Sequence, residues 1–219
     1  MLTRTLPAQV AEILRERILS GAWAPGERVL ETEVAQELGV SRHTLRSALQ
    51  TLTHEGLLEQ SQFKSTHVKN PTAQDVYETY TLRNTLEAMA CRLAAGRPQR
   101  MAAVDEAVSR MQAAAAAGDR EAVKAADFAF HVAVVELAGH ARLSEHYRML
   151  HAQTRLYLNL TAAADYQLDE IAAKHAELAE AIRAGDADLA ERLGGSHNTT
   201  DGEALVACLN STAARRRTP

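Results

Sequence analysis

The part of the chain after Pro71 is long, rich in alanine and almost free of proline, and its apolar residues recur at helical spacing. Short breaks divide it into segments of about 20 residues. These breaks are Gly96–Pro98, Gly118–Asp119, Gly139–His140, Ala164–Asp165 and Gly185–Asp186. The pattern predicts about six helices that pack as an all-α bundle, in which facing helices can enclose a cavity. Two adjacent glycines, Gly194 and Gly195, weaken the sixth of these helices.

Residues 1–71 differ in composition and predict a separate domain. They carry Pro25–Gly26 and short β-prone stretches, and they hold 8 Lys+Arg and 8 Asp+Glu, against 16 and 20 in the rest of the chain. Thr72–Asp75 has the form of a capping box, which opens a helix. We therefore expect two domains, residues 1–71 and 72–219, in a fold that is mainly α.

Composition argues against several classes of protein. The formal net charge is −4, so a nucleic-acid surface must be local. Cys91 and Cys208 lie far apart, which argues against a disulfide framework or a thiolate zinc site and favours a reducing compartment. No apolar stretch reaches the ~20 residues that cross a bilayer, and Met1–Pro7 lacks the apolar core of a signal peptide. We expect a cytoplasmic protein with no membrane partner.

Residues Glu31–Glu55 have the spacing of a helix-turn-helix. Ala35 permits close contact between the two helices, and Gly39 supplies a turn that residues with a Cβ atom resist. Ser41 stands where an N-cap is favoured. The spacing thus predicts a second helix that begins directly after Ser41.

That second helix has two distinct faces. Its apolar face is formed by Leu45, Ala48, Leu49 and Leu52. Its polar face carries Arg42, Arg46 and Gln50 at i, i+4 and i+8. Arginine contacts guanine in a bidentate way or pairs with phosphate, and glutamine reads adenine, so this face suits a recognition helix in the major groove. An ordinary amphipathic helix with a solvated basic face is the alternative.

Two short β-prone segments follow, Leu57–Gln60 and Thr66–Lys69, and they predict a two-stranded wing. With this wing, about the first seventy residues resemble the winged helix-turn-helix of the GntR family of bacterial transcription regulators. The motifs that carry the resemblance are Ile18–Gly21, Pro25–Gly26, Leu38–Arg42, Leu45–Arg46 and Glu55–Leu57. The resemblance implies operator contacts by Ser41, Arg42, His43, Thr44 and Arg46.

The chain departs from that family pattern at two places. Thr32 stands where many members carry a basic residue, and the usual wing glycine is missing from Gln62–Ser65. Lys64 is then the contact to phosphate that we expect from the wing.

Asp127 and His131 lie four residues apart on one predicted helix, so both side chains fall on one face, close enough to hold a cation. A surface hydrogen bond between them, or a charge pair in the N-terminal half of the helix, is the alternative. His175 and His197 lie inside the fifth and sixth predicted helices, where a buried imidazole must be hydrogen-bonded or ligated. Spacing alone does not select these two over the remaining histidines of the second part, His140, His146 and His151.

Most of residues 72–212 resemble the FCD effector domain of one branch of GntR regulators. The similar segments are Leu82–Glu87, Asp127–His131 and the pair His175 and His197, 22 residues apart. The resemblance implies that Asp127, His131, His175 and His197 bind a divalent metal ion, and that a small organic acid binds at or beside it. Three imidazoles and a carboxylate suit zinc first, and also nickel, cobalt or iron.

Three further side chains are expected at the effector. Arg83 and Arg155 carry guanidinium groups, which grip a carboxylate in a bidentate way. Asn159 lies one turn after Arg155 and can add a polar contact.

These patterns predict a ligand-responsive DNA-binding transcription regulator. A single winged helix with no net charge makes few phosphate contacts, so we expect a homodimer on a pseudo-palindromic, double-stranded operator. A metal-dependent, hydrolase-like enzyme is one alternative, because an ion with open positions can activate water; no H-E-x-x-H spacing supports it. A metal-free regulator whose histidines contact the effector directly is the other.

Overall fold

The fold is described from a computed structural model, in which residues 5–61, 65–158 and 167–217 are described. The chain divides into two compact units. The first holds the described residues up to Val76 together with Ala152–Leu158, and the second holds Tyr77–His151 and the described residues from Gln167 onward.

The described elements are mainly helices, with one small sheet. Up to residue 68 they are α1 (Leu6–Leu19), α2 (Glu31–Glu37), α3 (Arg42–His54), β1 (Leu58–Gln60) and β2 (Thr66–Val68). After Pro71 they are α4 (Ala73–Ala95), a 3₁₀ turn (Pro98–Arg100), α5 (Ala102–Ala116), α6 (Arg120–Leu137), α7 (Ala141–Leu158), α8 (Leu168–Arg183), α9 (Ala187–Ser196) and α10 (Thr199–Arg217). The predicted fold class, a winged helix-turn-helix with an all-helical second part, is confirmed.

The turn between α2 and α3 has the form that the spacing predicts. Gly39 has a φ of 63°, a left-handed conformation that residues with a Cβ atom seldom adopt. The Ser41 side chain accepts a hydrogen bond from the Thr44 amide at 3.1 Å and so caps α3. The apolar face of α3 is buried, as predicted, through Leu45, Ala48, Leu49 and Leu52. Because this apolar face packs into the core, the opposite, polar face of α3 points away from the core.

The predicted two-stranded wing is also confirmed. β1 and β2 pair antiparallel, with Leu58 opposite Val68 and Glu59 opposite His67. Leu58 and Val68 are buried, whereas Glu59 and His67 are partly exposed, which is the alternation expected of a half-buried hairpin. Lys64, the phosphate contact expected from the wing, lies outside the described residues.

The second unit has a core of closely packed helices. Most of α4 belongs to this unit, but its first residues belong to the first unit and form the predicted capping box: the Thr72 amide donates to Asp75 Oδ2 at 2.8 Å, and the Asp75 amide donates to Thr72 Oγ1 at 3.1 Å. Many alanines in the core allow the helices to approach each other, and a few larger side chains fill the space between them. Phe130 on α6 is one of these, and it is fully buried, with its ring 4.8 Å from that of His175, centroid to centroid.

The stretch predicted as one sixth helix is two helices, α9 and α10. His197 follows the end of α9, so the prediction that it lies well inside a helix was wrong. A Cβ atom at Gly194 would lie 2.5 Å from the sulfur of Cys91 on α4, and one at Gly202 would lie 2.9 Å from the ring of Tyr80. The glycines that weaken this stretch are therefore the positions where it packs directly against α4, and this packing carries His197 toward the interior.

Candidate metal centre and nucleic-acid interface

Four side chains from separate helices of the second unit meet at one point. Asp127 and His131 project from α6, His175 projects from α8, and His197 follows α9. One donor atom of each lies within 4.8 Å of the donor atoms of the others. The structure thus brings together the four residues that the family resemblance implies as ligands.

Four of the six distances between the donor atoms lie close to those of a coordination shell, and all six are within 4.8 Å. Asp127 Oδ1 lies 2.7 Å from His175 Nε2 and 3.6 Å from His131 Nε2. His175 Nε2 lies 3.4 Å from His131 Nε2 and 3.0 Å from His197 Nε2. Nitrogen ligands that lie about 2.1 Å from one zinc ion are separated by about 3.0 Å in an octahedron and about 3.4 Å in a tetrahedron. The donor set therefore fits a small divalent cation.

The other ring nitrogens of two histidines face acceptors. His131 Nδ1 lies 3.0 Å from Glu87 Oε2, and His175 Nδ1 lies 2.7 Å from the carbonyl oxygen of Ile171. A carboxylate and a carbonyl only accept, so each Nδ1 carries a proton, and in the neutral rings each Nε2 keeps its lone pair. These lone pairs face each other and Asp127. A positive charge, either a proton or a metal cation, must lie among them.

The electrostatics of the cluster locate that proton when no metal is bound. Burial disfavours a charged His131, but the carboxylates of Glu87 and Asp127 outweigh burial and raise the pKa of His131 to about 9. Burial and the two neighbouring histidines lower the pKa of His197 to about 3. Burial also opposes ionisation of Asp127, yet His131 and His175 hold its pKa well below the usual range. At neutral pH His131 is therefore protonated in the metal-free cluster.

Arg83 lies beneath this cluster. It is only 2% exposed, and its Nε donates to Glu87 Oε1 at 2.7 Å. Its Nη2 atom is buried and has no hydrogen-bond partner among the described residues. A buried guanidinium nitrogen without a partner loses its hydration, which is unfavourable. The Nη2 atom can therefore take a further hydrogen-bond acceptor beside the cluster.

The polar face of α3 forms the candidate nucleic-acid interface of the first unit. Arg42, His43, Arg46 and Gln50 are exposed along it, and Thr44 is half-buried beside its cap partner Ser41. Arg46 Nε donates to Glu31 Oε2 at 2.8 Å. That bond engages Nε alone, and the Arg46 side chain stays 65% exposed, so a guanine edge or a phosphate can accept from its two terminal nitrogens.

Comparison with known proteins bears on both sites. One family model, "Bacterial regulatory proteins, gntR family", matches residues 6–68, and a second, "FCD domain", matches residues 78–200. The chain is 35% identical over 192 residues to the "Probable D-xylose utilization operon transcriptional repressor" of Paenarthrobacter nicotinovorans, a match that covers 87% of this chain and 84% of that protein. The chain belongs to the GntR family. This GntR-family protein is a DNA-binding transcription regulator of the FCD type.

Solved structures show the same fold as this GntR-family regulator. A GntR transcriptional regulator from Rhodococcus sp. RHA1 superposes with a TM-score of 0.78 at 28% identity and covers 92% of this chain and 97% of its own. McbR/YncC of Escherichia coli superposes with a TM-score of 0.77 at 24% identity, and the match covers 96% of this chain and 100% of the McbR/YncC chain. At this identity the likeness bears on the fold only. Among the residues described for the regulator, no helix combines the length and the apolar character needed to span a bilayer.

Two further residues were predicted to contact the effector, Arg155 and Asn159. Arg155 belongs to the first unit, where its Nη1 lies 3.8 Å from Glu16 Oε1. Asn159 lies outside the described residues. An effector role for Arg155 and Asn159 stays a prediction. Of the histidines that spacing left open, His140 caps α7 by accepting from the Leu143 amide at 3.2 Å, and none joins the cluster among the described residues.

Two residues beside these sites were not predicted to act there. Glu31 orients Arg46, and Glu87 joins His131 to Arg83. Glu87 lies in the Leu82–Glu87 segment that carries the family resemblance, four residues after Arg83, and that spacing was the available signal for the ion pair. Its contact with His131, 44 residues away, has no signal in the sequence.

Proposed function

We propose that this regulator responds to a small carboxylate, which binds beside a divalent metal ion held by Asp127, His131, His175 and His197. The observation that carries the proposal is the convergence of three Nε2 atoms and a carboxylate oxygen, with neighbouring donors 2.7 to 3.6 Å apart. Three imidazoles and one carboxylate favour zinc, and nickel, cobalt and iron suit the same donors. When bound, the ion supplies a positive centre with positions left for an anion.

Arg83 supports an anionic effector. Its buried Nη2 atom lacks an acceptor among the described residues, and a carboxylate that reached it would form a charge-assisted hydrogen bond. The same guanidinium is held by Glu87, which also contacts the metal ligand His131. One carboxylate could therefore contact the metal ion and Arg83 together.

We also propose that the regulator binds DNA as a homodimer. Residues 1–71 carry 8 basic and 8 acidic side chains, so one recognition unit makes few net phosphate contacts, and two acting together are needed for operator affinity. Leu82, Met89 and Leu93 recur on one face of α4 and are exposed. A second copy of the chain that covers this apolar face would remove it from water and place two recognition helices in two-fold symmetry.

Regulation then requires that the effector prefer one arrangement of the dimer. A carboxylate on Arg83 and the metal ion contacts a cluster built from α4, α6, α8 and the α9–α10 junction. If it binds more tightly to one packing of these helices, it shifts the spacing of the two recognition helices and hence operator affinity. A ligand that bound both arrangements equally would change nothing.

Metal analysis of the purified chain tests the site. We expect about one zinc ion per chain, removed by a chelator and restored by adding zinc, and a His175→Ala variant that binds zinc more weakly. Fewer than about one ion per ten chains, unchanged by added divalent metal, would refute the metal site and favour the metal-free regulator. The replacement Arg142→Ala is the control, since Arg142 pairs with Glu145 on the surface of α7.

Gel-shift titration tests the DNA interface, with duplexes that the parent protein selects from a randomised library as the probe. Arg46→Ala should weaken binding by about 5- to 150-fold, because one bidentate contact to a base is worth about 1–3 kcal/mol. Its zinc content should not change. Arg142→Ala is again the control. An Arg46→Ala protein with parental affinity and parental sequence preference would defeat the assignment of α3 as the recognition helix.

A further inference from the structure

Glu87 is a buried carboxylate whose oxygens are both fully engaged. Oε1 accepts from Arg83 Nε at 2.7 Å and from the Tyr147 hydroxyl at 2.6 Å. Oε2 accepts from Asn198 Nδ2 at 2.8 Å and lies 3.0 Å from His131 Nδ1. The side chain is 3% exposed. Contacts from α4, α6, α7 and the α9–α10 junction therefore fix its position.

The contact with His131 decides which nitrogen of that ring is free. A neutral imidazole has one nitrogen that donates and one that accepts. An ionised carboxylate only accepts, so the proton of neutral His131 must lie on Nδ1, and the lone pair lies on Nε2. Nε2 is the atom that faces His175 and Asp127. The opposite tautomer would direct a proton at the metal position.

We propose that Glu87 is a positioning residue that sets the tautomer and ring orientation of His131 for metal binding, an inference that rests on the proposed metal site. His175 has an equivalent partner in the main-chain carbonyl of Ile171, at 2.7 Å. Of these two partners only Glu87 is a side chain and can be replaced. Removing a partner of this kind lowers metal affinity by about 10- to 100-fold.

A second role of Glu87, as the counter-charge of Arg83, must be separated from this one. The two roles use different oxygens, since Oε1 holds Arg83 and Tyr147 whereas Oε2 holds His131. Tyr147→Phe removes a hydrogen bond to Oε1 and leaves the contact with His131. Arg83→Met/Glu87→Leu removes both charges of the buried pair and also the acceptor of the His131 Nδ1 proton, so it tests His131 without leaving Arg83 unpaired.

The experiment measures zinc affinity of the full chain by competition with a chromophoric chelator. Glu87→Leu and Arg83→Met/Glu87→Leu should each bind zinc about 10- to 100-fold more weakly than the parent, because leucine cannot accept the Nδ1 proton of His131. Tyr147→Phe and the surface control Arg142→Ala should bind zinc like the parent. Parental zinc affinity in both proteins that carry Glu87→Leu, or an equal loss in Tyr147→Phe, would overturn the inference, because either result would show that metal binding does not depend on the Oε2 contact.

A spectroscopic measurement on the parent chain needs no variant to fold. Long-range ¹H–¹⁵N spectra of histidine-labelled protein, recorded with zinc and also without zinc above the pKa of about 9, should show His131 protonated on Nδ1. A proton on Nε2 would overturn the inference. A parent chain that binds no zinc refutes the metal site itself, whereas a parent that binds zinc alongside unaffected variants refutes only the role of Glu87.

Discussion

Substitution of Gly194 tests the packing that brings His197 to the cluster. An added Cβ atom there would lie 2.5 Å from Cys91 Sγ, 3.0 Å from Cys91 Cβ and 3.2 Å from the carbonyl oxygen of Glu87. Non-bonded heavy atoms in ordinary contact lie about 3.5–4.0 Å apart, so the overlap with sulfur is about 1 Å or more. In an exposed helix, Gly→Ala stabilises by about 1 kcal/mol. For Gly194→Ala we expect the opposite sign.

The magnitude follows from two opposing contributions. Overpacking a close-packed core costs about 1–3 kcal/mol, and an overlap of this size belongs at the upper end. After the gain in helix propensity, the free energy of unfolding should fall by about 2 kcal/mol. Cys91→Ala alone removes the buried sulfur and should cost about 1 kcal/mol. In the double variant the new methyl group occupies the space of the sulfur, so the loss should be smaller than the sum of the single losses by about 1–2 kcal/mol.

Urea unfolding of chelator-treated protein, followed by circular dichroism, measures all three variants. Zinc affinity measured in parallel reports on His197, which lies three residues after Gly194. It should fall in Gly194→Ala and recover in the double variant. Should Gly194→Ala prove as stable as the parent, or should the two losses simply add, the direct packing of α9 on α4 would not be what limits this position.

Three further measurements test other parts of the argument. Ser41→Ala removes the acceptor of the Thr44 amide and should lower the free energy of unfolding by about 1 kcal/mol in urea titrations; no change would mean that the cap is not formed. Phe130→Ala removes a fully buried ring that lies 4.8 Å from the ring of His175, centroid to centroid, and should cost about 3–5 kcal/mol in the same assay, whereas a loss below 1 kcal/mol would contradict the packing. Zinc binding at neutral pH should release about one proton per ion, because the pKa of about 9 keeps His131 protonated until the metal takes Nε2. The apparent zinc affinity should therefore rise about tenfold per pH unit up to about pH 9. Calorimetric heats of zinc binding that do not depend on the ionisation enthalpy of the buffer would rule this out.

The sequence predicts the features that depend on a few neighbouring residues. A positive φ at Gly39 and a side-chain cap at Ser41 are local properties, and the spacing identified both. Asp127 and His131 lie one helical turn apart, so their shared face follows from periodicity alone. His175 and His197 come from other helices. No local pattern distinguishes them from the remaining histidines, and only the resemblance to a known family selected them.

Features that arise from tertiary packing were not accessible in the same way. An Arg–Glu pair at i, i+4 is usual on exposed helices, and nothing local shows that Arg83 and Glu87 are 2% and 3% exposed. The glycines near His197 indicate a weak helix, but the reason for them is the contact with Cys91, about a hundred residues earlier in the chain. The burial of a side chain and the identity of its partners are properties of the assembled helices. They decide the chemistry of the Arg83–Glu87 pair and the packing at the glycines.

In the proposed function, the change in charge at the cluster couples binding of the metal ion to binding of the effector. Under the proposed function, metal binding would displace the Nε2 proton that a pKa of about 9 keeps on His131 at neutral pH, and a divalent ion would take its place. The exchange raises the charge of the site by one unit, whatever the neighbouring groups carry. A buried site that gains positive charge attracts an anion more strongly, and Arg83 presents an unpartnered Nη2 in the same network. Under the proposed function, zinc and a carboxylate therefore bind with positive linkage, and each must raise the affinity for the other by the same factor.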